Sequence, residues 1–455
     1  MSELKTILRH GTTVLAGQLA VMAFGVADTV IAGRHSPEAL AALSIGSALY
    51  VSVFVGLIGV VQALLPIWAE LRGAGKALQL GKSLRQSLYL CALLVVPGML
   101  ALLFPGRLLD WAEVPRAMRG EVESYLSILA AAFAPALLFR VYSTFNQSLG
   151  RPLLVTWLQV AALSVKIPLS IWWVGGGLGV EPMGVVGCAW ATLVVNYLLL
   201  ALAAALLARQ PLYRPFHVWR RIEAPDVRQL ARFFRLGVPA GLSYFVEVTS
   251  LTLMALFIAR LGTAASAAHQ IAASMATVLY MVPLSLGIAC SARVSLWLGA
   301  GHVRRAGNVA LLGLALALSC GIWLAAVLLA GRQWIAGWYT ASPDIADAAS
   351  ALLIWVALYH VADSLQAVSA FVLRCYRVSF APLVLYAACL WGFGLLGGYR
   401  LTYHGITGDS FLAPTRAMQS AAGFWIAACA ALALVAIALL SLLLWKTRRP
   451  FHQDV

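Results

Sequence analysis

The chain has 455 residues, 62% hydrophobic and only 11% charged, with a formal net charge of +15. Together with a mean hydropathy of +0.88, this composition excludes a soluble globular protein and indicates an integral membrane protein. The positive charge does not indicate a nucleic-acid partner, because the basic residues are scattered through short loops rather than gathered in one patch.

In chain order, apolar runs predict twelve membrane spans, at about 12–33, 39–68, 84–104, 122–148, 153–175, 183–208, 233–260, 265–297, 306–331, 346–373, 380–401 and 419–445. Each reaches or exceeds the roughly 20 residues a helix needs to cross a bilayer. The fold class is therefore all-α. The first span contains Asp28 and has no clear small-residue cleavage site, so it reads as a retained helix rather than a signal peptide. The seven cysteines show no C-x-x-C spacing and read as small packing residues, with no disulfide and no metal cluster.

The basic residues orient the chain. With the N-terminus in the cytoplasm, 21 of the 32 lysines and arginines fall in cytoplasmic segments and 8 in outer loops. The cytoplasmic set includes Lys82, Arg85, the run from Arg209 to Arg235, Arg305, Arg374, Arg377 and Arg449; the outer set includes Arg34, Arg119, Arg260 and Arg416. The positive-inside rule then places both termini in the cytoplasm. Acids divide the same way, with Glu3, Glu70, Glu223, Asp226 and Asp454 inside and Glu113 and Asp409 among those outside. Within the spans only Asp28, Glu247 and Asp363 remain.

The chain also repeats. AELRGAGKALQLGKS at 69–83 follows span two, and SLWLGAGHVRRAGNV at 295–309 follows span eight. An offset near half the length implies two six-helix halves inserted with the same orientation. The expected lobes are residues 1–222, spans one to six, and residues 223–455, spans seven to twelve.

An acid at the bilayer centre costs about 2.5–3.5 kcal/mol on insertion scales, so an intramembrane acid is a functional candidate by default. In span seven, Tyr244, Glu247 and Ser250 share one helix face; in span ten, Tyr359, Asp363 and Gln366 do the same. The two spans run in opposite directions, and both acids count to mid-membrane. Two carboxylates at one depth repel unless a proton or small cation lies between them. Hard oxygen ligands suit Na⁺ or H⁺, which makes Glu247 and Asp363 the candidate ion ligands. Asp28 and Lys166 both count to the outer half, and they are candidates for a charge pair. His360 neighbours Asp363 in sequence but points away from Tyr359, and His269 is the other histidine within a span; both read mainly as packing residues, while Tyr244, Ser250, Gln366, His360 and Lys166 are kept as candidates for the substrate cavity or a charge pair. Arg293, at the cytoplasmic end of span eight, reads as an interfacial anchor. No P-loop, H-E-x-x-H or nucleophile elbow is present, so the chain does not read as an enzyme.

The segments VADTVIAGRHSPEALAALSIG, ELRGAGK, GVVGCAWAT, GLSYFVEVTS, AAHQIAASM and YHVADSLQAVSAFVLRCYR occur in this order along nearly the whole chain. In this set the chain resembles the multidrug and toxic compound extrusion (MATE) transporters of the bacterial NorM-like branch. The resemblance implies two six-helix lobes in the bacterial inner membrane, acting as a monomer without a tightly bound cofactor. It implies export of amphipathic, often cationic drugs and dyes in exchange for Na⁺ or H⁺. It assigns cation coupling to the residues at Glu247 and Asp363, with Tyr359 nearby and Asp28 as the first-lobe acid. A lipid-linked precursor flippase of the same superfamily is the alternative. One departure matters: where the branch reads N-x-P-x-N in span five, this chain has Lys166-Ile-Pro168-Leu-Ser170. That puts a first-lobe Na⁺ site in doubt and leads to the expectation that Lys166 replaces the bound cation beside Asp28.

Overall fold

A computed structural model describes residues 2–111, 115–177, 179–404 and 420–448. The loop assignments of Glu113, Asp409, Arg416, Arg449 and Asp454 lie outside the described residues. Within them, twelve helices are long and apolar enough to cross a membrane, as the hydropathy pattern predicts. They are α1 (Glu3–His35), α2 (Pro37–Gly73), α3 (Ala77–Leu103), α4 (Arg116–Ser148), α5 (Pro152–Gly175), α6 (Val185–Arg209), α7 (Val227–Ala259), α8 (Thr263–Gly299), α9 (Val303–Tyr339), α10 (Pro343–Cys375), α11 (Phe380–Tyr403) and α12 (Ala421–Thr447). Several are longer than their apolar runs. Helix α1 starts at Glu3 rather than near residue 12, because hydropathy marks only the apolar part and backbone hydrogen bonding carries the helix on into its polar end.

The helix ends explain the repeat. Helices α2 and α8 stop at Gly73 and Gly299, and two residues later Gly75 and Gly301 take φ of 70° and 79°. That left-handed turn suits glycine and releases the chain into α3 and α9. Ser36 caps α2, its hydroxyl accepting from the Ala39 amide, with Pro37 in the first turn.

The chain divides into two compact units, Thr12–Gly241 and Met1–Gly11 with Leu242–Val455. In the first, α4 packs against α2, α3 and α6 around the fully buried Trp68, Phe133 and Phe145. In the second, α10 packs against α8, α9 and α12, with Phe424 and Trp425 fully buried. The buried stripe of α10 includes Ala349, Ala357, Ser364, Ala367 and Ala370. Small residues let helices approach closely where no hydrophobic effect drives them together.

The first compact unit runs on to Gly241, past the connecting segment, whose contacts lie on that unit. Arg85 on α3 donates from Nε to Glu223 Oε2 at 2.9 Å, from Nη2 to Glu223 Oε1, and from Nη1 to the His217 carbonyl at 2.7 Å. Lys82 reaches Asp226 at 3.3 Å, and Gln86 donates to the Ala224 carbonyl at 3.0 Å. A side chain at Gly81 would place its Cβ 1.7 Å from the Phe216 carbonyl oxygen, so the segment seats on a bare backbone there. The connection and the start of α7 are thus held to the first unit. The Arg85 hydrogen bond lowers the Glu223 carboxyl to about 2. Asp226 is also held below its ordinary value, chiefly by the Gln229 amide that it accepts at the start of α7.

Candidate functional site

In the second unit, α10 brings Asp363 and Gln366 to one face and α7 brings Glu247 against them. The Gln366 amide Nε2 donates to Asp363 Oδ1 at 2.8 Å and to Glu247 Oε1 at 3.2 Å. Tyr386 on α11 donates its hydroxyl to Gln366 Oε1. That bond sets the amide: its carbonyl faces α11, so its NH₂ group must face the acids. Asp363 and Gln366 are buried, and Glu247 is half-buried. Just beyond Tyr386, α11 changes to wider i→i+5 winding over Ala387–Leu396, a departure often found at functional sites.

A cavity adjoins Glu247, with Ser243 and Tyr244 from α7, Tyr280 from α8, Tyr386 from α11 and Arg374 from α10 in its wall. Tyr359 is buried, lies within Coulombic reach of both carboxylates, and meets Trp425 edge-on with ring centroids 5.9 Å apart. Ser250, expected on the same face as Glu247, is half-buried and does not line this cavity. His360 is buried, and neither ring nitrogen has a hydrogen-bond partner among the described residues. His269 lies 5.8 Å from Trp425, ring to ring.

The first unit holds a different arrangement. Lys166 Nζ on α5 donates to both carboxylate oxygens of Asp28 on α1, each at 2.5 Å, and Ser170 donates to Oδ1 at 3.2 Å. Lys166 is 1% exposed and Asp28 7%, so the ammonium is not snorkelling to water. Lys166 also lies 5.8 Å from the centre of the Phe24 ring. The pair faces inward because Lys166, Ser170 and Val174 recur at helical spacing on the buried face of α5.

Sequence reasoning missed several groups. Arg374, assigned to a cytoplasmic segment, is 5% exposed and stacks over Phe371 and Tyr244 at 4.7 and 5.1 Å. The available signal was its position on the Asp363, Ala367, Ala370 and Arg374 stripe of α10. Tyr280 and Tyr386 had no signal, since an aromatic residue in an apolar span looks like packing. Arg293 is more than an interfacial anchor: its Nη2 donates to Glu3 at 2.7 and 2.9 Å, Trp297 Nε1 adds a bond at 3.2 Å, and Arg305 one at 3.1 Å. Among the described residues no cluster of three or more His, Cys, Asp or Glu side chains is arranged to hold a metal ion.

The family profile MatE matches residues 14–172 and 239–400. The chain is 36% identical over 445 residues to a probable multidrug resistance protein NorM of Aromatoleum aromaticum, covering 98% of this chain and 94% of that one. It is 32% identical over 416 residues to multidrug resistance protein PmpM of Pseudomonas aeruginosa, covering 91% and 86%. Among solved structures, the eukaryotic MATE transporter AtDTX14 superposes with a TM-score of 0.87 at 18% identity, covering 98% and 97%. The Vibrio cholerae MATE transporter VcmN in its bent form gives 0.83 at 18% identity, with the same coverage.

Proposed function

The chain belongs to the MatE family and is a multidrug-efflux transporter of that type, and on that premise we propose a cation-coupled antiporter exporting amphipathic, often cationic compounds in exchange for Na⁺ or H⁺. Glu247 and Asp363 take the coupling ion, and Tyr359 and Gln366 shape its site. The observation that carries this reading is the one Gln366 amide that donates to both carboxylates. One donor group holds two anions close together, and their repulsion favours uptake of a proton or a monovalent cation. The coupling ion and the drug then stabilise different arrangements, and each shifts the population away from the other. Asp28 is already neutralised by Lys166, so coupling is assigned to the second unit.

The protein sits in a bacterial inner membrane as a monomer, with both termini in the cytoplasm and a role in antibiotic resistance. The distribution of basic residues and the names of the bacterial relatives support this placement. Ethidium efflux from cells, with Na⁺ and pH gradients imposed separately, tests the coupling. Efflux driven by one of the two gradients and lost in Asp363→Asn is the expected result. Efflux that ignores both gradients contradicts it.

A further inference from the structure

Arg374 sits in the last turn of α10. A long basic side chain at a span end ordinarily snorkels into the interface. This one does not. It is 5% exposed, it stacks over Phe371 and Tyr244, and its Nη1 has no hydrogen-bond partner among the described residues. Helix geometry accounts for the direction. The Cα–Cβ bond tilts toward the helix N-terminus, so a side chain at 374 leans back toward 370 and the carboxylate level. Asp363 and Arg374 lie about 16 Å apart along the axis, at 1.5 Å per residue, and the arginine stem covers part of that distance. The guanidinium lines the same cavity as Glu247.

The other groups facing the carboxylates leave the charge balance simple. They are Tyr244 from α7, Tyr280 from α8, Tyr359 from α10, Tyr386 from α11 and, beside Tyr359, Cys429 from α12. From α9, Gly321 meets Ser364 on α10. With both acids ionised and the phenols and thiol neutral, the site holds two negative charges and one positive charge. One monovalent cation brings it to neutrality.

We propose that Arg374 is the internal counter-cation of the Glu247–Asp363 site and sets how readily the coupling ion leaves it. The proposal rests on the coupling role given to those two acids above. With Arg374 present, the empty site carries one net negative charge, so it binds an ion without trapping it. Without the guanidinium it carries two, binds the ion more tightly and releases it more slowly.

The test uses purified full-length protein in nanodiscs with ethidium at trace concentration. Its displacement is followed against Na⁺ at fixed pH and against pH without Na⁺. Arg374→Gln, with Arg374→Met as a second neutral variant, is expected to lower the midpoint cation concentration by about tenfold or more, on the scale of one unit charge several ångström away. Turnover in proteoliposomes should fall at the same time. Arg374→Lys keeps the charge and is expected to stay within about threefold of the parent midpoint. An unchanged or raised midpoint in the neutral variants overturns the proposal, and so does a tenfold shift in the lysine variant. Glu247→Gln and Asp363→Asn in the same assay separate the two levels. If they retain the parent cation dependence, the coupling reading itself fails. If they lose it while Arg374→Gln leaves the midpoint in place, only the role of Arg374 fails.

Discussion

In the first unit, Asp28 has both carboxylate oxygens on the Lys166 ammonium; in the second, Glu247 and Asp363 share a neutral amide and have a guanidinium lining the same cavity. All three acids carry the same problem, a charge in a place where burial is costly. The first is met with a cation built into the chain, held by direct charge-assisted hydrogen bonds. The second, with both acids ionised, has one more negative charge than positive. On the proposed reading, the difference separates a position that the protein satisfies by itself from one that takes an ion from outside. Both lie on helix faces that also carry buried packing residues, so burial alone does not distinguish them; charge balance does.

The largest expected effect lies in the second unit. Glu247→Gln and Asp363→Asn are each expected to reduce gradient-driven ethidium efflux more than tenfold at matched expression. Near-normal efflux from both variants would remove the contrast between the units.

The first unit should respond in stability. Lys166→Met or Asp28→Asn alone leaves a buried partner, at a cost of about 3–5 kcal/mol for a fully buried pair and less if water enters. The double variant is expected to be more stable than the two single effects add up to. Thermal unfolding of the three proteins in detergent forms the cycle, and strict additivity would dissolve the pair as an energetic unit.

Smaller effects sharpen the second site. Tyr386→Phe frees the Gln366 carbonyl, and Tyr359→Phe removes a hydroxyl near both acids. A neutral hydrogen bond is worth about 0.5–1.5 kcal/mol net, so each is expected to weaken coupled efflux by less than either acid substitution. A larger loss in Tyr359→Phe than in Asp363→Asn would give Tyr359 a direct role in drug contact.

The smallest effect concerns the connecting segment. Glu223 is held down to about 2 in the folded protein by Arg85, against roughly 4.3 for a free glutamate. Its depressed value means that the contribution is present above about pH 4.3, declines below it, and is lost as the pH falls through about 2. The pair is part-exposed, so its contribution is about 0.2–1 kcal/mol. Hydrogen exchange of the 217–226 amides, corrected for intrinsic rates, should show protection falling over that window. In Glu223→Gln the same window should be flat.

Much of this was legible in the sequence. Twelve apolar runs mark twelve helices because a lipid-spanning segment must satisfy its own backbone. The acids stood out because only three lie within spans, and Gln366 because it shares the Asp363 face. Lys166 stood out as the one lysine in a span. Other features were not legible. Tyr386 belongs to a different helix from its partner Gln366, and nothing local links them. Arg374 sits beside Arg377, where the positive-inside pattern gives a complete explanation without burial. Glu3 and Arg293 are 290 positions apart. Composition marks where the connecting loop lies and does not show which helix holds it, here α3 through Arg85.

The contrast between the units is tested most directly by comparing two double variants in proteoliposomes with imposed Na⁺ and H⁺ gradients. One is Asp28→Asn with Lys166→Met, the other Glu247→Gln with Asp363→Asn. The account predicts that the first keeps gradient-driven ethidium exchange, scaled to the amount of folded protein, and that the second loses it. Exchange lost in the first and retained in the second would contradict it.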